Sequence, residues 1–379
     1  MLKPYGQGHR SLWDVIGERR EQEERLVAPA RAPADYDLAR MALDNAWLWL
    51  PNLEPARAAT GKMTEWTDAD FDHDPRLISA AGHRRNVRRI RWPTKTLEVQ
   101  PLPRALQLLE GMLSQWSEFA SSIDWESTKV ILFAPTDIAS DPWLAEVLAM
   151  WPFDYLPGEG FDSTSRAFDD WLPWALQNQL DASGLLCISI DTWATQSRAA
   201  TLTGELMAGE SVAVLNLRRV DHANPEDGNG WYLFPSMKCD HAPRALQPRA
   251  SSDDLRQLAE SLFEQAGARP EDIKACVTDG HHHDKRLEHL SHYLTTQLPH
   301  CDMQEHVVGQ ALLAGERGTS AHHMTALGLA FHVGNTNGGA VLVFERRAAT
   351  QTQAWLLSSR QKALSLEPEQ VDQFAVDLG

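Results

Sequence analysis

The feature that most constrains the fold is an alternation of strand-like and helix-like segments that occurs twice along the chain. In the first series, the apolar runs 130–134 and 185–190 have the length of buried strands and alternate with amphipathic segments. In the second series, the runs 273–277 and 340–344 alternate with segments whose leucines recur at helical spacing. Two such series predict an α/β fold in which helices cover mixed sheets built from two halves.

The pattern divides the 379 residues into three regions. We expect a helical and irregular N-terminal region over 1–104, a first half over 105–250 and a second half over 251–379. A Pro- and Ser-rich stretch at 241–252 is the predicted linker between the halves. Within the N-terminal region, a second helix is predicted over roughly 36–50.

Other segments of the front half give weaker or more specific signals. The stretch 57–103 mixes polar and basic residues and is assigned no element. A helix is predicted from about 163 to 180, with Pro173 inside it as a kink. The apolar runs 211–217 and 231–234 have the spacing of a hairpin pair.

The charge balance limits the partners that the chain can bind. Its 35 basic and 52 acidic residues give a net charge of −17, which argues against binding nucleic acid or adhering to an anionic membrane. No run of about 18 apolar residues is present, so membrane insertion is not expected. The first residues contain no apolar signal-peptide core, and a cytoplasmic location is therefore predicted.

The cysteines indicate buried thiols. Cys187, Cys239, Cys276 and Cys301 are far apart in sequence and include no C-x-x-C pair. Two of them lie inside apolar strand-like runs, where a free cysteine behaves as a small hydrophobic residue. A disulfide framework is therefore not predicted.

Motifs for metals, cofactors and hydrolytic chemistry are weak. Residues 281–284 read His-His-His-Asp, with Asp279 and His289 nearby, but three adjacent histidines cannot all face one ion from a regular element. A solvated loop is favoured over a metal site, and His322 and His323 are interpreted as exposed helix positions. No phosphate-binding G-x-x-x-x-G-K loop occurs, so no cofactor is expected.

A near match to a hydrolase motif occurs at Gly209-Glu-Ser-Val-Ala213. It lacks the final glycine of G-x-S-x-G, and it opens a strand instead of joining a strand to a helix. A lipase function of this chain is therefore not favoured.

Two groups of residues are candidates for partner binding. The run 83–91 holds five arginines, and it is either a charged surface segment or a docking patch for an acidic partner. Trp47 and Trp49 are two residues apart and cannot both face one side of a helix, so one of them is expected to be exposed. Exposed Trp near Arg is typical of interface hot spots. The predicted partner-binding residues are therefore Trp13, Trp47, Trp49, Arg88 and Arg89.

The second half resembles the back half of thiolases and ketoacyl synthases. Its strand 273–277 ends at Thr278-Asp279-Gly280, and a later helix begins at Gly318-Thr319-Ser320. In ketoacyl synthases each of these places carries a catalytic histidine, which the resemblance aligns with Asp279 and Thr319. An aspartate is an anion at neutral pH and would repel the oxyanion that such a site stabilises.

The front half fits the same resemblance, which places a nucleophilic cysteine at the start of the kinked helix. Gly160-Phe-Asp-Ser-Thr-Ser165 stands there, with Asp162 or Ser163 at the expected position. Neither side chain replaces a thiolate. The resemblance thus implies a thiolase-like, layered α/β/α/β/α architecture from two related halves, with an N-terminal helical addition and without catalytic residues.

Within the thiolase-like group, the chain resembles the type VI secretion lipase adaptor family. The segments that carry this resemblance are Tyr5-Gly-Gln-Gly-His-Arg-Ser-Leu-Trp-Asp14, Val130-Ile-Leu-Phe-Ala-Pro135, Met150-Trp-Pro-Phe153 and Gly209-Glu-Ser-Val-Ala-Val214. The family implies a cytoplasmic adaptor without enzymatic activity or cofactor. Such an adaptor binds a type VI effector, here a phospholipase, and helps to load it onto a VgrG-type spike protein.

Two alternatives remain open at this point. The chain could be a thiolase-fold enzyme that condenses acyl thioesters, with its cysteine and histidines at other positions. It could also be an inactive subunit that complements an intact ketosynthase. A condensing enzyme requires one fast-reacting cysteine, whereas an adaptor does not.

Overall fold

The computed structural model describes ten segments of the chain and Gly82, all within the unit Arg40–Gly379. These segments are 41–51, 72–78, 84–91, 97–178, 182–202, 207–220, 231–240, 252–279, 285–347 and 351–359. The predicted partner residue Trp13, most of the predicted linker and the histidine run 281–283 lie outside them.

The four apolar runs predicted as strands in the two series are strands in the structure, and further strands lie around them. They are β1 (Met41–Trp49), β2 (Asp72–Ile78), β3 (Arg84–Arg88), β4 (Thr128–Phe133), β5 (Phe161–Thr164), β6 (Gly184–Thr192), β7 (Ala208–Arg219), β8 (Trp231–Leu233), β9 (Met237–Asp240), β10 (Ile273–Thr278), β11 (Val307–Gly309), β12 (Ala340–Glu345) and β13 (Gln351–Ser359).

The helices alternate with these strands. They are α1 (Pro101–Gln115), α2 (Ser117–Ala120), α3 (Ser140–Met150), α4 (Phe168–Gln177), α5 (Gln196–Thr201), α6 (Ser252–Ala266), α7 (Lys285–Gln297), α8 (Gln310–Ala314) and α9 (Thr319–Asn337). Among the described helices, none combines the length and the apolar character that crossing a bilayer requires.

The sheet contains the same five-strand arrangement twice. The first half has the strand order β5-β4-β6-β7-β1, and the second has the order β11-β10-β12-β13-β8. In each half the first three strands are parallel and the last two are antiparallel to their neighbours. The halves meet where Met41–Leu43 pairs antiparallel with Trp231–Leu233. The prediction of two related halves is therefore confirmed.

Side chains on the two faces of each half form three apolar clusters, which define five layers. One cluster packs α1, α2 and α3 against the first half, and another packs α6 and α7 against the second. The largest joins α4 and α9 with the inner faces of both halves. This is the layered α/β/α/β/α architecture that the sequence predicts.

Helix α9 occupies the middle layer and is buried along almost its whole length. It contacts strands of both halves as well as α4. Nearly every side chain from Ala321 to Gly334 is buried, so the helix shows no polar face. At Gly328 a Cβ atom would lie 2.6 Å from Leu48 Cδ2, so this glycine permits the close approach of α9 to β1.

The predicted helix over 36–50 is wrong, because residues 41–49 form the strand β1. This strand lies between β7 and β8 and pairs with both, so the two runs predicted as a hairpin are not neighbours. The leucines, alanines and tryptophans of β1 are good helix formers or neutral residues, and a strand buried on both faces lacks polar alternation. Tertiary pairing therefore overrides the local signal.

The change from helix to strand also overturns the expected exposure of the tryptophans. Residues two apart in a strand lie on the same face. Trp47 and Trp49 accordingly share the cluster that contains α1, with exposed fractions of 1% and 5%. Neither is available to a partner in the described fold.

Two arginines of the run predicted as a surface segment or docking patch are buried, whereas Arg91 at its end is exposed. Arg88 and Arg89 are both buried. The guanidinium of Arg89 donates to Asp74 and, at 2.6 Å, to the carbonyl of Ala194. Buried arginines are stable only with such partners, so their role here is to anchor β3, a strand that the weak pattern of 57–103 did not reveal.

A buried ion pair extends this network to the rest of the first half. Arg104 on α1 donates to the carboxylate of Glu210 on β7 at 2.9 and 2.7 Å. The same carboxylate accepts the backbone N–H of Ile90 and the hydroxyl of Thr192, each at 2.9 Å. One side chain thus joins α1, β6, β7 and the segment after β3.

We expect the substitution Glu210→Gln to lower the free energy of unfolding by roughly 3–5 kcal/mol, because it leaves the Arg104 charge buried without a counter-ion. Urea unfolding measures this loss. The matched control is Glu118→Gln on the exposed side of α2, which should cost less than about 0.5 kcal/mol. Equal stability of the two variants would contradict the assigned role of Glu210.

Candidate functional site

A cavity of about 300 Å³ lies between the ends of the central elements. It is bordered by residues that follow β4, by the last residues of β6, and by the N-termini of α4 and α9. In open α/β sheets, ligands bind outside the carboxyl ends of the strands. The lining includes Thr136, Asp137, Ser165, Ala167, Ser189, Asp191, Gly318 and Thr319.

Asp191 is the central polar group of this cavity. Its carboxylate accepts the backbone N–H of Gly318 at 2.6 Å, and the backbone N–H and hydroxyl of Thr136 at 2.8 and 2.9 Å. Burial raises the pKa of Asp191, although the N–H groups of Thr136 and Gly318 oppose this rise. The carboxylate thus occupies one donor at the start of α9, the N–H of Gly318, where negative charge is favoured by the helix dipole.

Gly318 permits this contact because it has no side chain. A Cβ atom at this position would lie 2.1 Å from Thr136 Oγ1 and 2.6 Å from Asp191 Oδ2. Both distances are far below van der Waals contact, so a larger residue would have to displace one of the two groups. The glycine at the helix start, Asp191 and Thr136 therefore form one packed unit.

A second set of contacts holds the cavity-lining residues Thr136 and Asp137 from outside the lining. The Trp193 indole donates to Thr136 Oγ1 at 3.2 Å, and the guanidinium of Arg198 lies 5.1 Å from the Trp193 ring. Arg198 also pairs with Asp137, its Nε donating at 2.6 Å. Asp137 has a positive φ of 68°, a conformation that few residues other than glycine adopt without support.

The predicted nucleophile positions lie away from the helix start. Asp162 and Ser163 belong to β5 and pair in parallel with Ile131 and Leu132. The kinked helix begins instead at Phe168 and does contain Pro173, as predicted. The expected start at 163 was wrong because a short edge strand with four half-buried residues has little periodicity to separate it from a helix.

Asp279 is a structural group outside the cavity lining. It is buried immediately after β10 and accepts the backbone N–H of Arg346 at 2.8 Å. The Arg346 guanidinium lies 3.5 Å from the other carboxylate oxygen and donates to Thr278 Oγ1 at 3.1 Å. Thr319, by contrast, does line the cavity, where it begins α9 and is exposed.

The histidines interpreted as exposed are buried. His322 Nε2 lies 2.7 Å from Glu345 Oε2, and Arg347 contacts the same carboxylate at 3.0 Å. Burial and the charge of Arg347 lower the pKa of His322 to about 3, so its imidazole is neutral at pH 7. The reason for the error is that α9 is buried on all sides, which removes the exposed face assumed for it.

His323 belongs to a second buried group. Its Nδ1 lies 3.2 Å from Asp169 Oδ1, and Lys238 Nζ lies 2.7 Å from the other oxygen of the same carboxylate. Burial alone would raise the pKa of Asp169, but the adjacent His323 and Lys238 lower it overall. This group joins α4, α9 and β9.

We expect Asp169→Asn to destabilise the protein at pH 7 by about 2 kcal/mol, the usual contribution of a hydrogen-bonded charged group. Since the folded pKa of Asp169 is depressed, its contribution is present above the unfolded value of about 3.9 and is lost as pH falls below it. Urea unfolding between pH 7 and pH 3 should show the stability difference between wild type and variant begin to shrink below about pH 4, with most of it still present at pH 3, because the folded pKa of Asp169 lies well below that pH.

The matched control for this experiment is Asp170→Asn. Asp170 also contacts Lys238, at 2.9 Å, but it is largely exposed, so its substitution should have little effect. A stability difference between wild type and Asp169→Asn that stays constant from pH 7 to pH 3 would refute the assigned electrostatic role.

The described residues contain no group of three or more His, Cys, Asp or Glu side chains that could hold a metal ion. Asp279 points into its pair with Arg346, and His289 lies on α7. The remaining members of the histidine run are outside the described segments.

Comparison with solved structures identifies the fold as thiolase-like. The ishigamide ketosynthase/chain length factor matches with 14% identity and a TM-score of 0.56, over 84% of this chain and 99% of that one. The ketosynthase from module 6 of the bacillaene synthase of Bacillus subtilis 168 matches with 13% identity and a TM-score of 0.50, over 84% and 70%. ChlB3, an acyltransferase, matches with 11% identity and a TM-score of 0.52, over 84% and 98%.

These low identities establish the fold alone. No family model matches the sequence. No curated protein matches it either. The chain therefore has a thiolase-like fold, the fold of the condensing enzymes that it matches.

Sequence reasoning missed the residues that organise the cavity. Asp191 directly follows the apolar run 185–190, and a polar residue at the carboxyl end of a buried strand is a recognisable signal. Thr136 follows β4 in the same way, after Pro135. The pairing of these two residues with Gly318 required the fold, because it joins positions 55 and 127 residues apart.

Proposed function

We propose that this chain is a non-catalytic adaptor that binds a type VI secretion effector, a phospholipase, and helps to load it onto a VgrG-type spike protein. The proposal that the chain is non-catalytic rests mainly on the side chains that line the cavity. Its lining contains the carboxylate of Asp191 and no cysteine, although the cavity lies at the start of both central helices.

The state of the four cysteines supports this proposal. All four lie in the described residues and are free. Burial raises the pKa of Cys187 and Cys276 well above the ordinary value and that of Cys301 to about 11; it also raises the pKa of Cys239. A thiol attacks an acyl thioester as the thiolate, so raised pKa values oppose catalysis.

The residue at the start of α4, the helix that contains Pro173, also supports a non-catalytic chain. The resemblance to ketoacyl synthases implies a nucleophile at this position, where the N-cap is Ala167 and the first residue Phe168. Ala167 lines the cavity but carries no reactive group. The helix thus starts at Ala167 and Phe168, not at the predicted Asp162 or Ser163. The conclusion that this position offers no nucleophilic thiolate is the same for both placements.

The electrostatics of the cavity also oppose acyl transfer. The backbone N–H of Gly318 already donates to Asp191, so it is not free to stabilise a developing oxyanion. The carboxylate beside it would repel that oxyanion if ionised. An enzyme of this kind needs donors that are aimed at the transition state and unoccupied.

The adaptor part of the proposal rests on the resemblance of four short segments. Three of them lie in the described fold, in β4, in β7 and at the end of α3. The fourth, residues 5–14, lies outside it. Enzyme scaffolds without catalytic residues are suited to binding partners because fold and function are separable.

We expect all four cysteines of the native chain to react slowly with a thiol reagent at pH 7.5, and rapidly after unfolding in urea. Cys239 should be the fastest of the native set because it is only partly buried. Labelling with iodoacetamide followed by peptide mass spectrometry assigns each rate. One native cysteine that reacts faster than a free thiol would favour the condensing-enzyme alternative.

Co-expression tests the adaptor directly. The chain is produced together with the phospholipase and the spike protein encoded nearest to it, and complexes are isolated by pull-down and size-exclusion chromatography. A stable complex with the phospholipase supports the proposal. Retention of an intact ketosynthase in its place would favour the role of an inactive partner subunit.

A further inference from the structure

Three exposed apolar side chains lie close together in sequence between the last turn of α3 and β5. Leu148 in the last turn of α3 has an exposed fraction of 48%, Phe153 of 87% and Leu156 of 53%. We call these three residues the 148–156 patch. Phe153 and Leu156 are three residues apart at a 3₁₀ turn, where positions i and i+3 eclipse and lie on the same side.

The backbone that carries the 148–156 patch is held in place by packed aromatic side chains. Trp151, buried between its members in sequence, packs edge-on against Trp116 with ring centroids 5.3 Å apart. Its indole N–H donates to the carbonyl of Tyr155 at 2.8 Å, and the Tyr155 ring lies 6.1 Å from that of Trp116. The exposed side chains are therefore presented by a fixed backbone, which lowers the entropic cost of binding.

The surroundings of the patch are acidic. Residues 130–165 contain six Asp or Glu residues and lie between Lys129 and Arg166; Asp137 and Asp162 pair with Arg198 and Lys129. Asp141, Glu146, Asp154 and Glu159 are exposed, and none of the four forms an ion pair with another described residue. An apolar centre with a rim of one charge sign is complementary to a partner of the opposite sign.

The neighbouring sheet edge is unsuited to strand addition. Strand β5 is at the end of the strand order, and the backbone N–H of Ser163 donates to Asp162 Oδ1 at 2.9 Å. A charged side chain on an edge strand discourages pairing with another strand. Asp162 thus protects the edge, and side-chain docking on the patch is the favoured mode of binding.

We propose that the 148–156 patch is a docking site for a protein segment with apolar anchor residues flanked by Lys or Arg. This inference deepens the adaptor function and rests on it, since it names the surface and the chemistry of the partner. A second copy of the chain is disfavoured as the occupant, because a symmetric contact would bring two acidic rims together.

The test uses the full chain and two synthetic peptides of about 18 residues, each an amphipathic helix with Leu and Phe anchors. One carries Lys beside the anchors and the other carries Glu at the same positions. Fluorescence anisotropy should show about tenfold tighter binding of the Lys peptide at low salt, with the preference shrinking at high salt.

Variants of the chain locate the binding site. We expect Phe153→Ser to weaken binding of the Lys peptide roughly tenfold, as for loss of an aromatic anchor, without changing the melting temperature, because Phe153 is exposed. The matched control is Ile78→Ser on β2, where the replaced side chain is 40% exposed and binding should be unchanged. Asp154→Lys should reduce the preference for Lys over Glu.

Several outcomes would overturn the docking site. These are equal binding of the two peptides, unchanged binding by Phe153→Ser, and a dimer of the wild type that Phe153→Ser dissociates in sedimentation. If Phe153→Ser still retains the phospholipase, the surface is wrong and the adaptor function stands. If the wild type binds the Lys peptide but retains no phospholipase, the adaptor function fails and the surface stands.

Discussion

The structure depends on the burial of α9 between the two five-strand halves. A helix that touches both halves along its length needs small or apolar residues on every side, and Gly328 brings it against Leu48 of β1. The same burial places its first residue at the cavity, and His322 and His323 beside the carboxylates of Glu345 and Asp169. Fold and site are thus consequences of one packing arrangement.

At the start of this helix, the chain uses its donors for stability. The N–H of Gly318 is satisfied by the carboxylate of Asp191, which also binds Thr136. In a catalytic site such donors would be held for a transition state. A contact of this kind, in which Asp191 satisfies the N–H of Gly318, holds the shape of the scaffold, which is what the proposed adaptor function requires.

The two series of strand and helix patterns are strong local signals and were sufficient for an α/β fold built from two halves, whereas the five-layer architecture was implied by the resemblance to thiolases. Sequence reasoning failed where burial removes periodicity. β1 was predicted as a helix since a strand buried on both faces has no polar alternation, and Trp47 and Trp49 were misplaced with it. It also failed for contacts between distant segments, such as Asp191 with Gly318, and for Arg89, whose charge is masked by burial against Asp74.

The most direct test of the central claim is the mass of the intact protein after incubation with an acyl-CoA thioester. The proposed non-catalytic site predicts an unchanged mass, since the four thiols have raised pKa values and the cavity lining contains none of them. A stoichiometric increase by one acyl group, located on a single cysteine or serine, would contradict the account and identify an active nucleophile.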